Sequence, residues 1–166
     1  KTNIFLPFTV FENARLAAQS RTPYALRVFS RAEQYEAINA LASEALESAG
    51  LTHRAGRVAA TLSHGEQRQL EIGLVLALRP RLLLLDEPLA GMGAEESGRM
   101  VALLRSLRGE HTMLLVEHDM DAVFRLADRI SVLVSGRVIA TGTPAEIREN
   151  AEVQRAYLGN EAGVAA

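Results

Sequence analysis

Residues 81–88 read Arg-Leu-Leu-Leu-Leu-Asp-Glu-Pro, and this stretch constrains the fold more than any other part of the chain. Four consecutive leucines are too few for most helices and are typical of a strand buried on both faces of a parallel sheet. Pro88 cannot continue strand pairing and disfavours helix at the residue before it. Asp86 and Glu87 are therefore predicted to lie at the carboxyl end of a strand, where open α/β sheets place their ligands.

The composition is ordinary for a globular domain and excludes several classes of protein. The chain has 166 residues, of which 48 % are hydrophobic and 23 % charged, enough for one domain with a real core. A net charge of −2 gives no general affinity for polyanions, so no nucleic-acid partner is expected. The absence of cysteine excludes disulfides and thiolate metal sites. No apolar run approaches the ~18 residues of a membrane span, and no signal-peptide pattern opens the chain.

The first third of the chain has helical patterns. Thr9 and Glu12 have the spacing of a capping box, which predicts a helix start. A second helix is predicted from about residue 30 to residue 49, ended by Gly50. Residues 51–62 have the pattern of a linker, and a third helix, to about residue 78, is expected to be capped by Ser63 with Glu66 at the third position.

The rest of the chain alternates strand and helix before a closing hairpin. The Ser-Gly pair at residues 135–136 is a hairpin signal, and Thr143 with Glu146 predicts a further helix start. The other predicted elements are helices at 94–107, 120–127 and 151–158 and strands at 112–116, 130–134 and 138–141. This order predicts a parallel-sheet α/β domain with a helical piece attached.

Three sets of residues can carry chemistry. Asp86 is well placed to hold Mg²⁺, and Glu87 to orient or deprotonate an attacking water. His118 follows a second buried strand and, if the two strands are neighbours, could hydrogen-bond a phosphoryl oxygen near Glu87; a single histidine at such a place is also often structural. Residues 63–66, Ser-His-Gly-Glu, combine a helix N-terminus with a hydroxyl and a glycine, which suits an anion, or they form an ordinary capped helix.

The order and spacing of these motifs resemble the ATP-binding subunit of ABC transporters. The motifs are residues 62–67, Leu-Ser-His-Gly-Glu-Gln, then residues 82–88, then residues 116–119, Val-Glu-His-Asp. The form of the first motif, together with Pro-Leu-Ala-Gly-Met at 88–92, most resembles the ATPases of branched-chain amino acid importers. Two further segments, residues 117–120 and 156–159, have the same resemblance. The lipopolysaccharide-export ATPase is also similar.

The resemblance implies a fold and a set of roles. The fold class is α/β, a partial P-loop NTPase (RecA-like) parallel sheet with the ABC helical subdomain. Residues 1–80 would be mainly helical subdomain and signature helix, and residues 81–166 the C-terminal part of the nucleotide-binding core. Asp86 matches the Walker B aspartate that helps hold Mg²⁺, Glu87 the catalytic glutamate, and His118 the switch histidine that contacts the γ-phosphate.

The resemblance also implies ligands and partners. Ser63, His64, Gly65 and Glu66 match the signature, which in this family grips ATP bound to the opposite subunit. The expected cofactors are ATP and Mg²⁺. The expected partners are a second ATP-binding subunit and transmembrane permease subunits, which would place the protein peripherally at the cytoplasmic face of the inner membrane.

The sequence departs from the family pattern in its phosphate-binding parts. It contains no Gly-x-x-x-x-Gly-Lys-Ser/Thr motif, and its only lysine is Lys1. The family's adenine-stacking aromatic and Q-loop glutamine are not found, and Gly93 stands where many relatives have aspartate. We therefore expect the C-terminal portion of such an ATPase, inactive by itself because phosphoryl transfer depends on positioning the phosphates. Sheet surface that is normally buried is then expected to be exposed or to contact another chain.

Two alternatives from other classes fit parts of the pattern. One is an ABC-type ATPase of DNA repair or translation, which the mild net charge disfavours and which would not co-purify with a permease. The other is a non-catalytic interaction module that keeps the fold without the nucleotide site. The reading frame upstream of Lys1 would distinguish truncation from such a module.

Overall fold

The structure is a computed structural model that describes residues 3–20 and 35–157. The chain divides into two compact units, Lys1–Glu117 and His118–Ala166. The boundary predicted after residue 80, between the helical subdomain with the signature helix and the nucleotide-binding core, stays a prediction.

Three helices form the core at the start of the first unit. They are α1 (Val10–Gln19), α2 (Glu36–Ser48) and α3 (His64–Leu76). The predicted capping boxes at the starts of α1 and α3 are both present. The predicted start of α2 near residue 30 lies outside the described residues. The best-buried large side chains of this core come from all three helices and from the segment that precedes α3: Val10, Leu46, Leu51 and Leu70.

The segment between α2 and α3 is not the simple linker that the sequence predicted. It contains two short 3-10 turns, Thr52–Arg54 and Ala59–Thr61. Val10 donates its amide to the Arg57 carbonyl at 2.9 Å, and Ala59 donates to the Phe8 carbonyl at 2.8 Å. These bonds hold the segment along the start of α1, so its apolar residues become part of the core.

A parallel pair of strands completes the first unit. Strands β1 (Leu82–Asp86) and β2 (Thr112–Val116) pair in register, and α4 (Ala94–Ser106) lies between them in sequence. The two strands, whose adjacency the sequence analysis left as a condition, are therefore neighbours.

The prediction that β1 is buried on both faces is wrong. Leu83 is 1 % exposed, whereas Leu82 is 50 % and Leu84 69 % exposed. Side chains alternate across a sheet, so Leu82 and Leu84 share a face with Leu114 and Val116 of β2, which are 60 % and 56 % exposed. The sheet is thus covered on one face and open to solvent on the other.

Over its described residues, 118–157, the second unit is a hairpin with three short helices. Its elements are α5 (Met120–Leu126), β3 (Ile130–Val134), β4 (Arg137–Gly142), α6 (Pro144–Glu149) and α7 (Ala151–Tyr157). Strands β3 and β4 are antiparallel, and the turn residues Ser135 and Gly136 have φ of 49° and 76°, as a tight two-residue turn requires. The core of this unit contains Ile130, Val132, Ile147 and Val153. Within residues 3–20 and 35–157, no helix has the length and apolar character needed to cross a bilayer.

Candidate functional site

The two adjacent acids lie at the carboxyl end of β1, as predicted. Asp86 is the last residue of the strand and pairs with Val116. Glu87 donates its amide to the Val116 carbonyl at 2.9 Å, and Leu89 donates its amide to Glu117 Oε1 at 3.0 Å. The turn after β1 is thereby fixed to the end of β2, and both Asp86 and Glu87 remain exposed.

Glu87 has a strained backbone that the sequence did not reveal. Its φ is 43°, in the left-handed region that a non-glycine residue enters at a cost of about 1–2 kcal/mol. The hydrogen bonds of the turn hold it there. Such strain often occurs at functional sites, which fits the catalytic role predicted for this residue.

The carboxylates fit a magnesium ion of the kind that accompanies nucleotides. In the described part of the chain, no three His, Cys, Asp or Glu side chains form a group able to hold a metal. Mg²⁺ at phosphate sites is usually held by one or two carboxylates together with phosphate oxygens and waters. An exposed carboxylate at a strand end, such as Asp86, is the protein ligand that such a site needs.

The signature segment forms the N-terminus of α3. Ser63 is the N-cap, and its Oγ accepts a hydrogen bond from the Glu66 amide at 3.2 Å. The Glu66 carboxylate accepts bonds from the Ser63 amide at 3.0 Å and from Arg54 Nε at 2.7 Å. Partial burial tends to raise the pKa of Glu66, but these two donors outweigh it and hold the pKa below its ordinary value.

A second carboxylate, Glu96, reaches this N-terminus from the first turn of α4. Ser63 Oγ donates to Glu96 Oε1 at 2.7 Å, and the Gly65 amide donates to the same oxygen at 3.3 Å. The bond from Ser63 is the main reason that the pKa of Glu96 is lowered. The sequence analysis did not find Glu96, because 33 residues separate it from Ser63 and no local pattern joins them.

The signature also lies against the turn that follows β1. A Cβ placed on Gly91 would lie 3.6 Å from His64 Nε2, and Gly91 itself has a φ of 75°. The structure therefore brings together Ser63, His64 and Gly65 with the turn that leads from Glu87 to Glu96.

His118 belongs to the second unit, where it is exposed and lies two residues before α5. Its neighbour Asp119 caps that helix, with Oδ1 accepting from the Ala122 amide at 3.0 Å. The expected proximity of His118 to Glu87 stays a prediction.

A family model described as "ABC transporter" matches residues 1–90, more than half of the chain. The chain belongs to the ABC transporter family. A second model, "Branched-chain amino acid ATP-binding cassette transporter", matches residues 137–163. The predicted family and the α/β P-loop NTPase fold class are thus confirmed.

Relatives of known name agree with the family assignment. The high-affinity branched-chain amino acid transport ATP-binding protein BraF of Pseudomonas aeruginosa is 44 % identical over 146 residues, which are 87 % of this chain and 55 % of BraF. LivG of Salmonella typhimurium, with the same description, is 41 % identical over 94 % of this chain and 64 % of its own length. The chain therefore spans less than two thirds of the curated relatives it matches.

Solved structures show the same fold. The ADP conformation of MJ1267, an ATP-binding cassette of an ABC transporter, superposes with a TM-score of 0.74 at 27 % identity and covers 92 % of this chain and 63 % of that one. An ABC transporter in an inward-facing conformation gives a TM-score of 0.76 at 21 % identity, over 96 % of this chain and 62 % of that one, and supports the fold alone.

Proposed function

We propose that this chain is part of an ATP-binding subunit that couples ATP hydrolysis to the uptake of branched-chain amino acids. The observation that carries the proposal is the 44 % identity to BraF, whose name states that transport function. The branched-chain amino acid family model, which matches residues 137–163 outside the general family match, supports the same transport class.

The proposed roles follow the family motifs that this sequence matches. Asp86 would hold Mg²⁺, which when bound neutralises phosphate charge. Glu87 orients the attacking water, and the fixed turn at the end of β1 keeps its backbone in place. His118 contacts the γ-phosphate. Residues 63–66 grip ATP bound to a second subunit.

The proposed partners are that second ATP-binding subunit and a permease at the cytoplasmic face of the membrane. Support for a permease-facing surface comes from an exposed apolar patch beside α1. Phe5 and Phe8 stack with ring centroids 5.4 Å apart, and the backbones of Leu6 and Phe8 bond to residues 59–60. We define the docking patch as the exposed side chains that share this region: Phe5, Leu6, Phe8 and Val58. Apolar patches of this kind usually mark contact sites.

We also propose that these 166 residues alone do not hydrolyse ATP, because no P-loop is present among them to position the phosphates. The purified chain is expected to release no phosphate from MgATP above background, and Glu87→Gln to behave identically. An ATP-dependent rate that Glu87→Gln abolishes would contradict this proposal.

The transport function is tested in cells through the gene that encodes the chain. Glu87→Gln is expected to reduce uptake of radiolabelled leucine at least tenfold, because it removes the carboxylate that orients water. Glu110→Gln, at an exposed acid far from the strand end in sequence, is the matched control and should leave uptake unchanged. Unchanged uptake in Glu87→Gln, with normal protein levels, would refute the proposed function.

A further inference from the structure

One carboxylate oxygen of Glu96 engages two donors of the signature at the same time. Oε1 accepts from the Ser63 hydroxyl at 2.7 Å and from the Gly65 amide at 3.3 Å. A hydroxyl has a single proton to donate, so Ser63 cannot donate to another anion while this bond exists. A phosphate oxygen that approached the signature would need the donors that Glu96 already occupies.

This contact is additional to the capping box of α3. The capping box of α3 is complete with Ser63 and Glu66. In the boxes of α1 and α6 the N-cap hydroxyl donates to the box glutamate, whereas Ser63 donates its hydroxyl proton to Glu96. Glu96 accepts from the Ser63 hydroxyl and from the Gly65 amide, and the capping box of α3 uses neither of these protons. The contact therefore adds to the capping box by engaging a further free amide of the helix N-terminus, with donors that an incoming anion would also use.

The backbone at residue 65 is adapted to the contact. A Cβ on Gly65 would lie 2.8 Å from Glu96 Cδ and 2.9 Å from Oε1, distances that real side chains do not show. The absence of a side chain at Gly65 is what lets the carboxylate reach the amide.

Glu96 can leave this position without unfolding anything. Its side chain is only partly buried, and Ser63 is exposed. Arg99, on the same helix, pairs with Glu95 at 2.6 Å, and its charge also acts on Glu96. A rotation about the side-chain bonds would place the carboxylate in water and free both donors.

We propose that Glu96 is an internal competitor that occupies the signature's anion-binding donors and must swing out before the phosphates of a facing nucleotide can bind. The proposal rests on the proposed function, since it takes the signature to be a phosphate-binding element. Glu96 is then a residue that opposes binding of these phosphates and that links the signature to the first turn of α4.

The test titrates the full chain with inorganic tripolyphosphate and follows the Gly65 amide resonance by NMR. Glu96→Ala is expected to bind the probe at least about tenfold more tightly than the wild type, which corresponds to about 1.4 kcal/mol. Glu95→Ala, on the same turn but paired with Arg99, is the matched control and should behave as the wild type. Adding Ser63→Ala to Glu96→Ala should remove the gain, because the freed hydroxyl is then absent.

Equal or weaker binding by Glu96→Ala, or no binding by any variant, would overturn the proposal. Weaker binding would mean that Glu96 orients Ser63 rather than competing for it. For each variant, resonances of residues outside the signature that match those of the wild type confirm that the variant is folded. Failure here leaves the leucine-uptake test of Glu87→Gln untouched, so the two proposals can fail separately.

Discussion

Asn13 is the buried polar residue on which the start of the helical part depends. It is 2 % exposed, and its side chain makes three hydrogen bonds. Oδ1 accepts from the Phe5 amide at 2.8 Å, while Nδ2 donates to the carbonyls of Phe5 at 3.0 Å and of Thr9 at 2.9 Å. These bonds fold the segment before α1 back onto the helix and so position the docking patch.

Replacing Asn13 by alanine removes all three bonds. Each bond contributes about 0.5–1.5 kcal/mol net, and a buried backbone group that is left with neither the bond nor a water costs more. The free energy of unfolding should therefore fall by about 2–4 kcal/mol. With a slope of about 2 kcal/mol/M, the urea midpoint of the first unit should fall by about 1–2 M. The transition is followed by far-UV circular dichroism, and hydrogen exchange of the Phe5 amide reports the local release of the segment.

Asn3→Ala is the matched control, since Asn3 is exposed on the same segment and bonds through its backbone amide to Glu71. Its effect should stay within about 0.5 kcal/mol. If Asn13→Ala shifts the midpoint no more than this control and the Phe5 amide stays protected, the three bonds do not hold the segment and the reasoning is wrong.

Three further predictions concern the cap, the signature and the docking patch. Thr9→Ala removes the α1 cap and should cost about 1 kcal/mol in urea unfolding; a change below about 0.3 kcal/mol would contradict it. The pKa of Glu66 is lowered by folding, so its charge stabilises the protein above the unfolded pKa near 4.5; the stability advantage over Glu66→Gln should shrink as the pH falls below that value, and a constant gap would contradict this. Phe8→Ser should weaken co-purification with the permease while leaving the urea midpoint nearly unchanged, because the ring is exposed; undiminished co-purification would remove Phe8 from the patch.

Local signals accounted for most of the elements that the sequence predicted. The boxes at Thr9, Ser63 and Thr143 depend on residues three apart, so the chain displays them directly. The apolar run before Asp86 likewise predicted β1 at its observed place. These features arise from the backbone and its nearest neighbours, which a single sequence contains.

Features that depend on distant parts of the chain were missed or wrong. The packing of residues 51–62 depends on hydrogen bonds to the segment at the start of α1, and no pattern within residues 51–62 predicts these bonds. The run of leucines indicated a strand suited to burial on both faces, but whether each face is covered depends on what packs there, which is why Leu82 and Leu84 are exposed. The left-handed backbone of Glu87 occurs where its amide bonds to β2, again a non-local contact.

The two glutamates that bond Ser63 show where this limit affects function. Glu66 lies three residues from Ser63 and was predicted, whereas Glu96 comes from the next helix and was not. From the local pattern alone, the signature is a helix N-terminus whose hydroxyl and amide have no other acceptor and can bind a phosphate. The fold adds a negative charge at that same point, so any estimate of phosphate affinity must include the removal of Glu96. A binding element that appears complete in sequence is therefore, in the folded chain, one whose donors are already engaged.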